Sequence, residues 1–509
     1  MKSSTVFALS SITVIAAMAL MPGCSDDETP ASTPTPTPTD DAGGDGAVAI
    51  KDLGAPAIPC SDSVESLYGD PGALPPGKGV IVKCHEDPNL SQDGLQKKLD
   101  DLGYQGKPLT SGARTIRVTY TTERGDAANT RSVSSALVYI PTNPRANASE
   151  LPIVVGARGS RGQGPDCTAS KRKEGLGVND DLDRLAFGIV GHGYPVIIPD
   201  LAGYANFNAP GNPLSAYNDA KDVGKGTLDG SRALKQLYPK LADKTVIVGH
   251  SQGGHSALAA LALSDTYGVQ GTISGVAVYA PLWVTQRSWG ALLSPSIAQS
   301  LGYTIKDQPS ASAVMIWYHY TKAELLDGPG EGLKLFKDAA KATVKQFVES
   351  QCFAPPYPQL EALGTYAHEL FEDAFRDSIG DAASGLFQCS SSDAVCAKWV
   401  ERYRNDRPHI TSKVPIVMLY GGNDQTIPSD RLKCAYDTLV SDGTNLSLCY
   451  EAAPGGAGVN SHQGILNAKS DWVADWIANV AMGAAAPAAC GGGKEAVADK
   501  TCATPPPND

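Results

Sequence analysis

VIVGHSQGGHSALAALAL, residues 246–263, is the stretch that decides how this chain folds. An apolar run ending at Val248 meets Gly249, His250, Ser251, Gln252 and Gly253, and a helix-forming run follows. A strand that turns this sharply into a helix brings two backbones together, so the residues two before and two after the apex must be small. The apex, Ser251, is thereby forced into a strained conformation that exposes its hydroxyl, with Gly249, His250 and Gly253 forming the rest of the elbow. The same turn aims the N–H of Gln252 and the positive end of the helix at one point, where a developing anion would be stabilised.

Outward from this stretch, short apolar runs recur between Gly, Pro and Asp: LPIVVGA at 151–157, YPVIIPD at 194–200, GVAVYAP at 275–281 and VPIVMLYGG at 414–422. Runs that are apolar on both faces suit the strands of a buried parallel sheet. LDRLAFGIVGHG and LDGSRALKQLY lie between them with apolar residues at helical spacing. Alternating strands and helices predict an α/β class with a mostly parallel, doubly wound sheet. Ahead of it, TIRVTYTTE and SALVYIP alternate over 115–141 and read as an antiparallel pair. From 283 to 408 the rhythm is lost, and stretches such as LKLFKDAAKATVKQFVES predict a helical insertion placed as a cap or lid over the sheet.

A serine hydroxyl needs a base to take its proton and a carboxylate to orient that base. Asp424 follows the strand VPIVMLY in GGNDQTIP, at the sheet edge where such an acid belongs. His462 is the only histidine after Asp424 and lies in the Gly-rich PGGAGVNSHQGIL, which fits the order serine, acid, histidine. His250 and His255 sit too close to Ser251 in sequence to reach back to it and read as packing groups or as groups that support the catalytic residues without touching substrate. The loop after 151–157 reads RGSRGQGPDCTAS, and its glycines let the backbone approach a ligand, so Gly159 or Ser160 is expected to supply a second oxyanion donor beside Gln252. Arg158 and Arg161 are candidates for an anionic group on a substrate or for a salt bridge to a nearby Asp.

The net charge of −12 and pI near 5.2 leave no basic field for a phosphate backbone, so nucleic acid is excluded as a partner. No C-x-x-C or H-E-x-x-H element occurs, and neither a metal nor another cofactor is expected. Lys2 precedes an apolar run from Val6 to Leu20 that ends in MPGCS, which resembles a bacterial lipobox with Cys24 as the lipid-modified residue. Residues 1–23 then form a lipoprotein-type signal peptide and 24–55 a Pro/Thr/Asp-rich tether. Export to a membrane-anchored site, periplasmic or at the cell surface, is the expectation, with simple secretion as the alternative. The other ten cysteines are an even number in a chain bound for an oxidising compartment. Proximity favours pairing Cys434 with Cys449 and Cys490 with Cys502. The core occupies 56–282 and 409–483 around the insertion, and 484–509 forms a tail stapled by a disulfide. A monomer is expected.

In order along the chain, TYTTERG, LVYIP, PDCTAS, GHGYPVIIPDLAGY, LDGSRAL, GHSQGGHSAL, PIVMLYGGNDQTIP and the late His462 resemble the secretory lipase family of α/β-hydrolases. The resemblance implies an α/β-hydrolase fold, a helical cap, no metal, and cleavage of acyl esters of a small-molecule or lipid substrate by Ser251, Asp424 and His462. Two positions depart from it. Arg158 stands where a histidine is common, and Leu201 follows Asp200 where a tyrosine is usual. Both place the substrate pocket under question, and Leu201 joins the two arginines as a pocket candidate. A peptidase or polysaccharide deacylase on the same fold, or a surface binding protein without catalysis, remains open at this level.

Overall fold

A computed structural model describes residues 52–172, 179–283, 289–384, 389–451 and 461–490. Nine strands form one sheet: β1 (Ile81–Leu90), β2 (Ala113–Glu123), β3 (Arg131–Pro141), β4 (Ile153–Ala157), β5 (Val196–Pro199), β6 (Lys244–His250), β7 (Thr272–Tyr279), β8 (Ile416–Gly421) and β9 (Leu446–Glu451). Their spatial order is β1-β2-β3-β5-β4-β6-β7-β8-β9. From β5 to β9 every pairing is parallel, and β1, β2, β3 and β5 pair antiparallel. The apolar runs behave as their two-sided patterning predicts, since every residue of β4, β5 and β8 is buried.

β2 and β3 pair without a break from Ala113 opposite Pro141 to Glu123 opposite Arg131, matching the alternation in the sequence. Two strands lay outside that reading. β1, IVKCHEDPNL, is polar and contains Pro88, which only an edge strand accommodates, and β9, LSLCYE, closes the opposite edge half-buried.

Helices α1 (Asn179–Gly191), α2 (Ala220–Leu237), α3 (Gln252–Tyr267) and, at the far end, α8 (Gly464–Met482) cover the sheet. Between β7 and β8 the described chain is mostly helical, with α4 (Pro309–Leu326), α5 (Asp338–Ser350), α6 (Asp373–Ser384) and α7 (Ala394–Asp406). This insertion has its own aromatic core, in which Trp317 stacks on Phe347 at 5.5 Å and Trp399, Tyr403 and Phe375 surround His319.

Cross-links join insertion and sheet. Cys167, just beyond β4, is bonded to Cys352 after α5. The other pairs are Cys60 with Cys84, Cys389 with Cys396, and Cys449 with Cys490. The last bond overturns both pairings expected from proximity: β9 and the segment after α8 meet in space, so Cys449 takes Cys490 in place of Cys434, which is itself disulfide-bonded. Cys24 and Cys502 lie outside the described residues.

A second tie is electrostatic. Lys322 of α4 is buried with its ammonium 2.5 Å from Asp219 Oδ2 and 2.6 Å from Asp406 Oδ2. Asp219 caps α2 by accepting from the Asp222 N–H, and Asp406 Oδ1 accepts from the Ala220 N–H, so the start of α2 is clasped by the insertion. Burial, with Asp219 beside it, pushes the Asp406 carboxyl up to about 6. Removing the cation would leave two carboxylates buried without a counter-charge. Lys322→Met is therefore expected to lose about 3–5 kcal/mol in urea unfolding; a loss within about 0.5 kcal/mol, the range of surface changes, would dismiss the clasp as a stabilising element.

Candidate active site

Ser251 occupies the turn between β6 and α3 at φ +54°, ψ −119°, a region that side chains other than glycine rarely adopt. Neighbours leave it no alternative. A Cβ on Gly253 would run into the Ala157 carbonyl at the end of β4, and one on Gly249 into the carbonyl of Gly253. The Ser251 N–H donates to the Tyr279 carbonyl of β7 at 2.9 Å, and its own carbonyl accepts from Leu282 N–H at 2.9 Å. The small residues of the elbow thus have the steric cause that their spacing predicts.

Asp424 follows β8 and is buried. Its Oδ1 accepts from the N–H groups of Thr426 (2.9 Å) and Ile427 (2.8 Å), forming a turn that fixes the carboxylate. Its Oδ2 lies 2.8 Å from His462 Nδ1. A turn-forming Asp and a histidine-orienting Asp are therefore one residue using two oxygens. His462 reaches the elbow from the opposite side, its ring centroid 4.6 Å from that of His250 and its carbonyl 2.8 Å from His250 Nε2. Ser251 Oγ and His462 share the elbow without a hydrogen bond between them among the described residues.

Of the two oxyanion candidates after β4, Gly159 is committed elsewhere, because its N–H donates to Asp181 Oδ2 at 3.0 Å. The Ser160 N–H has no acceptor among the described residues, and its hydroxyl is 2.6 Å from that of Tyr217, itself held by the insertion through Tyr217 N–H to Thr321 Oγ1 (2.9 Å). Gln252 opens α3, where the first N–H groups of a helix have no partner inside it. Its side-chain amide is buried with neither end hydrogen-bonded.

The three pocket candidates are all buried. Arg158 is buried, donating to the carbonyls of Gly159 (3.0 Å) and Asp200 (2.8 Å) and lying 4.6 Å over the Tyr204 ring. Among the described residues it meets no carboxylate; the Asp200 side chain accepts from Ser135 Oγ and Ser170 N–H. Arg161 is buried against the Cys167 carbonyl and Asn179, and burial lowers its guanidinium to about 10. Leu201, at φ +78°, packs with Tyr204, Ala220, Val223 and Ala259. His255 is likewise buried: its Nε2 meets the Asp406 carbonyl at 2.7 Å, and burial lowers it to about 4.

Asp181 is the residue that sequence reading passed over. It opens α1 in the run NDDLD, where one carboxylate among several reads as a solvated helix start, yet it is buried and forms an ion pair with His250 Nδ1. Only the fold brings it to the elbow, about seventy positions along the chain.

A sheet of this order, with a strained serine, a histidine and a carboxylate on loops at one edge, defines a class. The alpha/beta hydrolase family model matches residues 180–443, over half of the chain, and the chain belongs to that family. No curated protein matches it in sequence. Among solved structures it is similar to the rice cell wall degrading esterase LipA from Xanthomonas oryzae, at 18% identity over 79% of this chain and 98% of that one, with a TM-score of 0.57. A putative hydrolase from Legionella pneumophila is 15% identical over 78% and 98%, with a TM-score of 0.60. Candida antarctica lipase A in its closed state is 16% identical over 81% and 84%, with a TM-score of 0.56. At these identities the likeness is one of fold.

The elbow makes a sharp prediction. Gly253→Ala sets a methyl group against the backbone of β4, which cannot yield, and is expected to cost at least about 3 kcal/mol; an unfolding midpoint in urea equal to that of the unsubstituted protein would contradict the steric account.

Proposed function

We propose that the protein is a serine hydrolase that cleaves carboxylic esters through an acyl-enzyme. The observation that carries this reading is the pairing of His462 Nδ1 with Asp424 Oδ2 at 2.8 Å on the flank of the strained Ser251 turn. With Nδ1–H donated to the carboxylate, His462 keeps the lone pair on Nε2, the nitrogen required to accept the Ser251 proton. Closing the gap between Oγ and Nε2 falls to the substrate-bound state, as catalytic hydrogen bonds commonly tighten only there.

In this mechanism Oγ attacks the ester carbonyl as its proton passes to His462, and the oxyanion is met by the N–H groups of Gln252 and Ser160. His462 then protonates the departing alcohol, leaving Ser251 acylated. Water, activated by the same imidazole, releases the acid and restores the serine. The esterase and lipase names of the similar structures support ester substrates over amides.

Ser251→Ala is expected to abolish hydrolysis of nitrophenyl esters. His462→Ala should lower kcat by on the order of 10³-fold or more and Asp424→Asn by on the order of 10⁴-fold. Near-normal rates in any of the three would remove that residue from the mechanism. Parallel assays with amide and acetylated-sugar substrates decide between an esterase and a peptidase or deacylase.

The disulfides fit an exported protein. We further propose that Cys24 carries a lipid, making this a membrane-anchored lipoprotein that works as a monomer. Mass spectrometry of the mature N-terminus is expected to find diacylglycerol on Cys24; cleavage elsewhere with no lipid would mean simple secretion.

A further inference from the structure

His250 precedes the nucleophile and has no part in the triad, yet the end of β6, the start of α1, the loop after β4 and the segment before α8 all converge on it. Its Nδ1 pairs with Asp181 Oδ1, its Nε2 stands 2.8 Å from the His462 carbonyl, and Asp181 Oδ2 accepts the Gly159 N–H at 3.0 Å. Both ring nitrogens therefore face only acceptors, a carboxylate on one side and a carbonyl on the other. A neutral imidazole would leave the Asp181 carboxylate beside an uncharged ring, whereas an imidazolium sets its charge against that carboxylate and donates from Nε2 to the His462 carbonyl. The packing is close enough that a Cβ on Gly159 would lie 2.8 Å from Asp181 Oδ2 and 3.2 Å from His250 Nδ1, so a side chain at 159 would part them.

We propose that the Asp181–His250 ion pair is the positioning device of the active site, holding the His462 main chain through His250 and the oxyanion loop through the Gly159 amide. Neither residue touches substrate. The pair rests on the reading of Ser251, His462 and Asp424 as a triad and adds to it two residues that set where the base and the Ser160 N–H stand. Burial opposes charge on both members, yet the balance favours the ionised pair: Asp181 is lowered to about 2 by His250 and the Gly159 N–H, and His250 is raised by Asp181 and the His462 carbonyl. Spending the Gly159 N–H on this carboxylate leaves the next amide, that of Ser160, to face the substrate.

The test uses the purified full chain, with nitrophenyl butyrate as substrate and active sites counted by a fluorophosphonate. His250→Leu and Asp181→Asn are each expected to lower kcat per counted site by on the order of 10²-fold, the cost of small misplacements at a reacting centre, with KM within about threefold. The double variant should be no worse than either single within about threefold, because the two residues act as one unit. His250→Gln, whose amide nitrogen can donate to the His462 carbonyl, should recover to within about tenfold of the unsubstituted enzyme. Should His250→Leu fail to fold, Asp181→Asn and His250→Gln carry the same readout. A packing role alone would lower the number of counted sites or the melting temperature and leave kcat per site unchanged, and that result overturns the proposal. Ser251→Ala in the same assay separates the two readings: if it is inactive while His250→Leu and Asp181→Asn keep full kcat per site, only the positioning role falls; if it is fully active, the triad falls first.

Discussion

The architecture of the site hangs on one steric constraint, the contact of Gly253 with the backbone at the end of β4. β4 and β6 are adjacent and parallel, with Ala157 opposite Gly249, so the loop after β4 and the elbow after β6 leave the sheet at the same height. Because α3 must start against Ala157, the chain can change direction only by forcing Ser251 to φ +54°. That places the serine at the tip of the turn, the Gln252 N–H just behind it, and the Ser160 N–H three residues beyond the contact that caused the strain. Strain of this kind persists only where surrounding structure over-determines it. Here two hydrogen bonds, from Ser251 N–H to β7 and from Leu282 N–H to the Ser251 carbonyl, supply that surrounding structure.

The helical insertion is bound to this machinery at several places close to the chemistry. Tyr217 stands between the Ser160 hydroxyl and Thr321 of α4, Cys352 is bonded to Cys167 beyond the oxyanion loop, and the Phe353 N–H donates to the Arg161 carbonyl at 2.8 Å. Lys322 clasps the start of α2 a few residues after Tyr217. Any rearrangement of the insertion must keep these attachments or carry the loop after β4 with it.

How far the sequence speaks for itself follows from what each interaction needs. The apolar runs of β4 to β8 and the glycines of the elbow obey local rules, and they are legible because strand burial and turn sterics act over a few residues. β1 and β9 escape those rules because an edge strand buries only part of one face, so its composition need not be apolar. Asp424 and His462 could be chosen from chain order and position. Gly159 and Ser160 could not be told apart as oxyanion candidates, since what occupies the Gly159 N–H is a carboxylate from α1 that no local pattern announces. Charge and loop position suggested a pocket role for Arg158, Arg161 and Leu201, but not the contacts each makes, which depend on segments distant in sequence. Disulfide pairing failed where sequence proximity stood in for distance in space, as the bond between Cys449 and Cys490 makes plain.

The site contains two carboxylate–imidazole pairs within one ring contact of each other, and they differ in what surrounds the second ring nitrogen. His250 and His462 each place Nδ1 against an aspartate. Beyond that the environments diverge. The second nitrogen of His250 is closed off by a backbone carbonyl in a fully buried setting, so it must hold its proton and has no lone pair to offer. His462 gives only its main-chain carbonyl to that contact, and its ring remains partly exposed, 14% against 2% for His250. An imidazole paired with a buried carboxylate on one side and a carbonyl on the other can hold a neighbouring backbone in place, whereas one that Asp424 orients through Nδ1 leaves Nε2 outside that contact. The same two functional groups thus sit in two different environments, and what separates them is the partner of a single ring nitrogen.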